Sequence, residues 1–285
     1  MGKNKEVPLS KLLRVDGEVR IEDIDTNSAP GYPDSGKEDA DEAREALAPE
    51  LADLQERLFA LGRSNPATAK RVLVVIQGLD GAGKGGVMRH AIGLVDPQGV
   101  QLKAFKAPTL EEREHHYLWR IERALPGPGM IGIFDRSHYE DVLVPRVEGF
   151  LPREVVDARY DEINAWEKAL VDDGYTLVKC LLHLGKDEQK KRLLERVEDP
   201  AKYWKYNPGD LDTRAQWDDY MEAYDVLLER TSTEYAPWHV IPADKKWYKD
   251  WAVAELLREK LAGLGLEWPP AGFDVEAERE RVRNS

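Results

Sequence analysis

The chain has one cysteine, four methionines and five phenylalanines among 285 residues. A single thiol excludes an internal disulfide and fits a reducing, cytoplasmic setting. That residue, Cys180, lies in the apolar run Thr176–Leu184, where a buried and unreactive strand thiol is expected. No apolar stretch approaches the roughly 20 residues needed to cross a bilayer. The polar start Met1–Glu6 leads into no signal-peptide core, so neither secretion nor a membrane partner is expected. A positive balance is missing too. Forty-one basic against 54 acidic residues give a formal charge of −13, which argues against nucleic acid as a partner because that needs a basic face. Metal-binding spacings are also lacking, since His115 and His116 are adjacent and cannot share a helix face.

What the chain does have is a glycine-rich turn in a telling place. The β-branched run Arg71–Gln77 enters Gly78-Leu79-Asp80-Gly81-Ala82-Gly83-Lys84-Gly85-Gly86, and a segment of helical periodicity follows. Glycines let backbone N–H groups converge on a polyanion, the helix start adds partial positive charge, and Lys84 adds a full one. The spacing fits a phosphate-binding P-loop, but Gly85 stands where a Ser or Thr should help hold magnesium. Charge supports a local anion site. Pro66–Leu110 carries six basic residues against two acids, and Lys186–Lys205 carries seven against five, inside an acidic protein.

The wider pattern alternates strands and helices. After a polar arm with an irregular stretch at Asn27–Gly36, residues 38–62 read as a helix packed outside the domain. Strands are expected at Val72–Gln77, Gly99–Phe105, Met130–Phe134, Tyr175–Leu184 and Trp238–Ile241. Helices are expected at about 83–94, at 109–125 from the capping box Thr109-Leu-Glu-Glu112, and at 151–173, 186–198, 210–231 and 245–261. The segment after Trp268 reads as a loose charged tail. This order implies an α/β domain whose parallel sheet is covered on both faces.

Ligands of such sheets sit beyond the carboxyl ends of the strands, and three groups fall there. One is the loop with Asp80 and Lys84. The second is Asp135-Arg136-Ser-His138-Tyr-Glu140-Asp141, in which the carboxylate can hold magnesium and the guanidinium can grip a phosphate, or the two can form a structural ion pair. The third is the basic helix, where Arg192 and Arg196 share a face and either close over the transferring group or lie on a solvated surface. Trp204 and Tyr206 suit either base stacking or loop packing. Asp80 is a further magnesium candidate that could replace the missing hydroxyl. Phosphoryl transfer needs this kind of positioning and charge neutralisation.

With these residues assembled, the chain resembles the family-2 polyphosphate kinases from about Leu9 to Leu261. The stretches that carry the resemblance are Gly78–Lys84, Phe134–Asp141, His183–Arg192 and Thr231–Trp238. The resemblance implies a P-loop kinase-like three-layer sandwich with a mostly parallel five-stranded sheet, a helical lid and a helical N-terminal extension. It implies an arm at 1–65, a catalytic domain at 66–265 with the lid at about 186–210, and a tail at 266–285. It further implies magnesium-dependent, reversible phosphoryl transfer between inorganic polyphosphate and a nucleoside mono- or diphosphate (AMP, ADP or GDP), in a homodimer or homotetramer. By the same resemblance Asp80, Lys84, Asp135, Arg136, Arg192 and Arg196 are catalytic, and Asp80 and Asp135 hold the metal. Gly81–Gly86, Arg89 and Lys205 bind phosphate, with Lys103, Lys106 and Lys202 further along a basic groove. Arg136, His138, Glu140 and Asp141 meet the nucleotide. The alternatives are an ATP-dependent nucleoside or nucleoside-monophosphate kinase and an inert phosphate-binding module.

Overall fold

In the computed structural model, residues 7–15, 17–32 and 37–285 are described. The polar start Met1–Glu6 and part of the irregular Asn27–Gly36 stretch therefore lie outside the described residues. Five strands, β1 (Arg71–Gln77), β2 (Val100–Ala104), β3 (Ile131–Asp135), β4 (Tyr175–His183) and β5 (Trp238–Pro242), form one sheet in the order β2-β3-β1-β4-β5. Every pairing is parallel, and β1 is central, with Val74 opposite Ile133 on one side and Val178 on the other.

The side-chain alternation of β1 explains the layers. Val72, Val74 and Ile76 enter one core with Leu51, Leu58, Val87, Leu256 and Leu257, whereas Leu73 and Val75 enter a second with Tyr160, Ile163, Leu227 and Leu228. The helices Ala48–Ser64 and Lys246–Ala262 cover the first face, and Arg153–Asp172 and Trp217–Thr231 cover the second. A near-continuous apolar strand is what a sheet buried on both sides requires. The edge of β5 is closed by the N-terminal segment, through Val15 N–H to Trp238 O at 3.0 Å and Val240 N–H to Leu13 O at 2.9 Å.

Two expectations fail for physical reasons, and one helix was not foreseen. The capping box at Thr109 and Glu112 forms, but its helix stops at Arg113 and restarts at Trp119–Glu122. Arg120, nearly buried, is drawn to Lys106 O at 2.8 Å and Asp141 Oδ2 at 3.1 Å, which fixes the second piece independently. A helix at Glu140–Glu148 is present although Pro145 lies inside it. Proline cannot bond back to the Asp141 carbonyl, and Arg159 Nη1 donates to that oxygen instead, at 2.7 Å. The charged tail is not loose either, for Asp274 caps a helix at Val275–Arg283 by accepting from Glu276 N and Ala277 N.

Candidate active site

The carboxyl ends of β1 and β3 meet at the phosphate loop, where parallel order brings distant residues together. Gly83 (φ +93°) turns the chain into the helix Lys84–His90, and a Cβ there would sit 2.9 Å from Lys249 Cε. The positive φ favours glycine at that position, and a Cβ would in addition oblige the end of the Lys249 side chain to shift. At Gly85 a Cβ would meet nothing within 4 Å, so the unusual glycine is not a packing requirement.

Arg136 is the one described non-glycine residue with positive φ, at +63°. That strain, of about 1–3 kcal/mol, turns its guanidinium back toward β1. Nη2 grips both oxygens of Asp80 at 2.7 and 2.9 Å, while Nη1 reaches Glu140 Oε2 at 3.4 Å. Lys84 Nζ is buried, donates to Gly78 O at 2.7 Å and lies 3.9 Å from Asp80 Oδ1. Burial alone would push the Asp80 carboxyl up, but Lys84 and Arg136 hold it below the usual range. Burial and the neighbouring Arg136 push Lys84 down, against the pull of Asp80, Asp135 and Glu140. Burial pushes Glu140 up despite Arg136. With the Gln77 amide nitrogen facing that carboxylate, it donates to Glu140 Oε1 at 2.9 Å. Asp135, at the end of β3, makes no side-chain hydrogen bond or ion pair among the described residues, so its carboxylate is free to take a cation.

The structure divides the two lid arginines. Arg196 is close enough to help hold the Asp80 carboxyl down, after Lys84 and Arg136, and is steadied by Asp210 Oδ2 at 3.1 Å and Lys205 O at 3.3 Å. Arg192 does not face the cleft. Buried at 4% exposure, it bonds Glu188 Oε1 at 2.9 Å, Gly81 O at 3.0 Å, and both Ala243 O and Asp244 O at 2.8 Å. Its guanidinium ties the phosphate loop to the end of β5, because its position on the helix points at backbone carbonyls rather than at open space. His138 also departs from the nucleotide role. It is fully buried, with Nε2 3.3 Å from Glu167 Oε1, and cannot touch a ligand. Asp141 is engaged by Arg120, and Arg89, Lys103, Lys106 and Lys205 are exposed. Lys202 is turned toward Asp199 at 3.1 Å.

Sequence reasoning missed four supports. Gln189 Nε2 donates to Asp80 O at 2.8 Å, and Lys249 Nζ reaches Gly83 O at 3.2 Å while pairing closely with Asp250. Asp210 positions Arg196. Behind the loop, Lys179 in β4 bonds Glu167 at 2.7 Å, Tyr139 OH at 2.9 Å and Thr231 O at 2.7 Å. A lysine amid the apolar run Thr176–Leu184 was the available signal, because a buried cation demands a partner.

A parallel five-stranded sheet with a lysine-bearing glycine loop after its central strand, a strand-end Asp-Arg pair and an arginine overhead defines a P-loop phosphotransferase. The chain belongs to the polyphosphate kinase 2 family, whose model, Polyphosphate kinase 2 (PPK2), matches residues 40–264. It is 44% identical over 257 residues to the AMP/ADP-polyphosphate phosphotransferase of Meiothermus ruber, spanning 90% of this chain and 94% of that protein. The ADP-polyphosphate phosphotransferase of Rhodopseudomonas palustris is 41% identical over 231 residues, 77% of this chain and 78% of its own length. The crystal structure of polyphosphate kinase 2 from Arthrobacter aurescens superposes with a TM-score of 0.94 at 52% identity, covering 98% of each chain. No helix among the described residues is long and apolar enough to cross a membrane.

Proposed function

We propose that this enzyme moves the terminal phosphoryl group between inorganic polyphosphate and a nucleoside mono- or diphosphate, reversibly and with magnesium. The observation that carries the reading is the Lys84–Asp80–Arg136 cluster at the loop, in a chain of this family. In the forward direction an oxygen of the acceptor's terminal phosphate forms the new P–O bond as the bond to the rest of the polyphosphate breaks. The acceptor is already ionised, so no residue needs to remove a proton. Lys84, Arg136 and Arg196 offset charge on the transferring group, in a site where burial strengthens each interaction.

Magnesium, when bound, would neutralise phosphate oxygens on both substrates, and Asp80 and Asp135 are the residues that would hold it. The site fits that ion. The described residues contain no cluster of three or more metal-ligating side chains, and magnesium ordinarily takes only one or two protein carboxylates alongside substrate phosphates. Asp135 is unpaired, whereas Asp80 would share its oxygens with Arg136. Glu140, the exposed Arg89 and Lys205 complete the proposed surroundings. A cytoplasmic location suits the buried lone Cys180 and anionic substrates of this kind.

The test offers AMP, ADP and GDP separately with polyphosphate and magnesium and measures the higher nucleotide formed. Product from at least one acceptor is expected. Transfer from ATP with none from polyphosphate would overturn the reading in favour of an ATP-dependent kinase.

A further inference from the structure

Strand β3 ends at Asp135 and the helix Glu140–Glu148 follows closely, so the chain must reverse at Arg136. It does so at φ +63°, a conformation that a long side chain rarely adopts. A residue strained in this way persists only where its surroundings over-determine it. On the strand side Arg136 N–H bonds Ile76 O at 3.0 Å. On the helix side the next three residues, Ser137, His138 and Tyr139, are all fully buried. With the Gln77 amide turned to donate to Glu140, its oxygen accepts from Ser137 Oγ at 3.0 Å, which ties the turn to β1. His138 and Tyr139 are tied to a different element. His138 Nε2 lies 3.3 Å from Glu167 Oε1, and Tyr139 OH donates to the same oxygen at 2.7 Å. Lys179 Nζ donates to Glu167 Oε2 at 2.7 Å, to Tyr139 OH at 2.9 Å and to Thr231 O at 2.7 Å, so all three of its protons are engaged. A buried ion pair adds little stability that apolar side chains of similar size would not supply. The neighbours Trp166 and Trp238 would suit such side chains. Stability does not account for the pair.

We propose that Glu167 and Lys179 are positioning residues for phosphoryl transfer: through His138 and Tyr139 they hold the Arg136 turn in its left-handed conformation and so aim its guanidinium at Asp80 and the transferring phosphate. Both are fully buried and touch no substrate. Glu167 is the hub, because one carboxylate accepts from Tyr139 and Lys179 and meets His138, the two residues that open the helix side of the turn among them. Lys179 neutralises that carboxylate and adds a second hold on the Tyr139 hydroxyl. If these links are cut, the turn can relax toward negative φ, and the guanidinium swings away from the Asp80 oxygens that it now grips at 2.7 and 2.9 Å. The inference rests on the transfer proposed above, in which Arg136 offsets charge on the moving group. A charge needed in the transition state and misplaced by about 1 Å costs turnover more than binding.

Two variants of the full chain test it. Tyr139→Phe removes one link and leaves Glu167 paired with Lys179. Glu167→Gln/Lys179→Met removes both charges together, so that neither is left buried alone. For each, kcat is expected to fall about tenfold or more, while KM for nucleotide and for polyphosphate stays within about threefold of the wild type. In an Arg136→Ala background the same changes are expected to lower kcat by less than about twofold further, because residues acting through one group are not additive. Simple loss of stability would instead lower it by the same factor in both backgrounds. Crystal structures of the two variants are expected to show Arg136 at negative φ or its Nη2 beyond about 3.5 Å from Asp80. Arg136 unmoved in both structures, or an undiminished fall in kcat in the Arg136→Ala background, would overturn the proposal. Failure of the wild type to use polyphosphate would fall on the proposed reaction alone, since the conformation of Arg136 is read without substrate.

Discussion

Arg192 separates what helical spacing suggests from what the fold does. Replacing it with alanine removes a guanidinium that satisfies the carbonyls of Gly81, Ala243 and Asp244. Gly81 and Ala243 are buried, so each is stranded at about 2 kcal/mol; the half-buried Asp244 carbonyl and the partly exposed Glu188 regain water at little cost. The expected loss is about 4 kcal/mol, roughly a thousandfold in the folding equilibrium. Lysine has no planar fork, so Arg192→Lys is expected to recover no more than about 1 kcal/mol. Equilibrium urea unfolding, followed by tryptophan fluorescence, reads the change. Arg196→Lys is the control: its partly exposed pairing with Asp210 keeps one cation, and stability is expected within about 1 kcal/mol of the wild type while turnover falls. Unaltered unfolding of Arg192→Ala together with collapsed turnover would refute the reasoning and place Arg192 on the transferring phosphate.

Asp80→Asn and Lys84→Ala are each expected to lower turnover by two or more orders of magnitude without unfolding the chain, as steady-state kinetics and circular dichroism would show; near-normal turnover in both removes the assignment. His239 is buried, lies 3.1 Å from Lys179 O through Nδ1, and is pushed down to about 4 by burial. It therefore contributes stability that is complete above its unfolded value near 6.5 and is lost as pH falls through about 4, about 3 kcal/mol in all. Urea unfolding at a series of pH values should show that decline, and His239→Leu should flatten it; an equally steep decline in the variant excludes His239 as its source. Gly85→Ser should fold as the wild type, because its Cβ enters open space, whereas Gly83→Ala should cost about 1–2 kcal/mol through positive φ and contact with Lys249. Thermal melts of the two variants check the contrast.

Much of the fold could be read in advance because its signals are local. The runs at Val72–Gln77 and Tyr175–Leu184 show β-branched and apolar continuity, and the helix Lys186–Glu198 is bounded by Gly185 before it and Asp199-Pro200 after it. Pro145 concealed a helix because its compensating donor, Arg159, is 14 residues further along. The resemblance implied that His138 meets the nucleotide, yet two positions beyond Arg136 the chain turns it into the core toward Glu167.

By itself the sequence determined the chemistry's raw material. It supplied a glycine loop carrying Lys84, a strand-end Asp135-Arg136, a basic helix, and strands whose order forces a parallel sheet. Local periodicity and residue type suffice for these, since each is a property of neighbours along the chain. Tertiary structure alone decided which charges meet. Arg136 grips Asp80 across 56 positions, Arg192 spans 111 positions to hold Gly81, and Gln189 fixes the carbonyl of Asp80. Coulomb attraction and hydrogen bonding depend on distances in space, and the packing of β1 between β3 and β4 sets those distances.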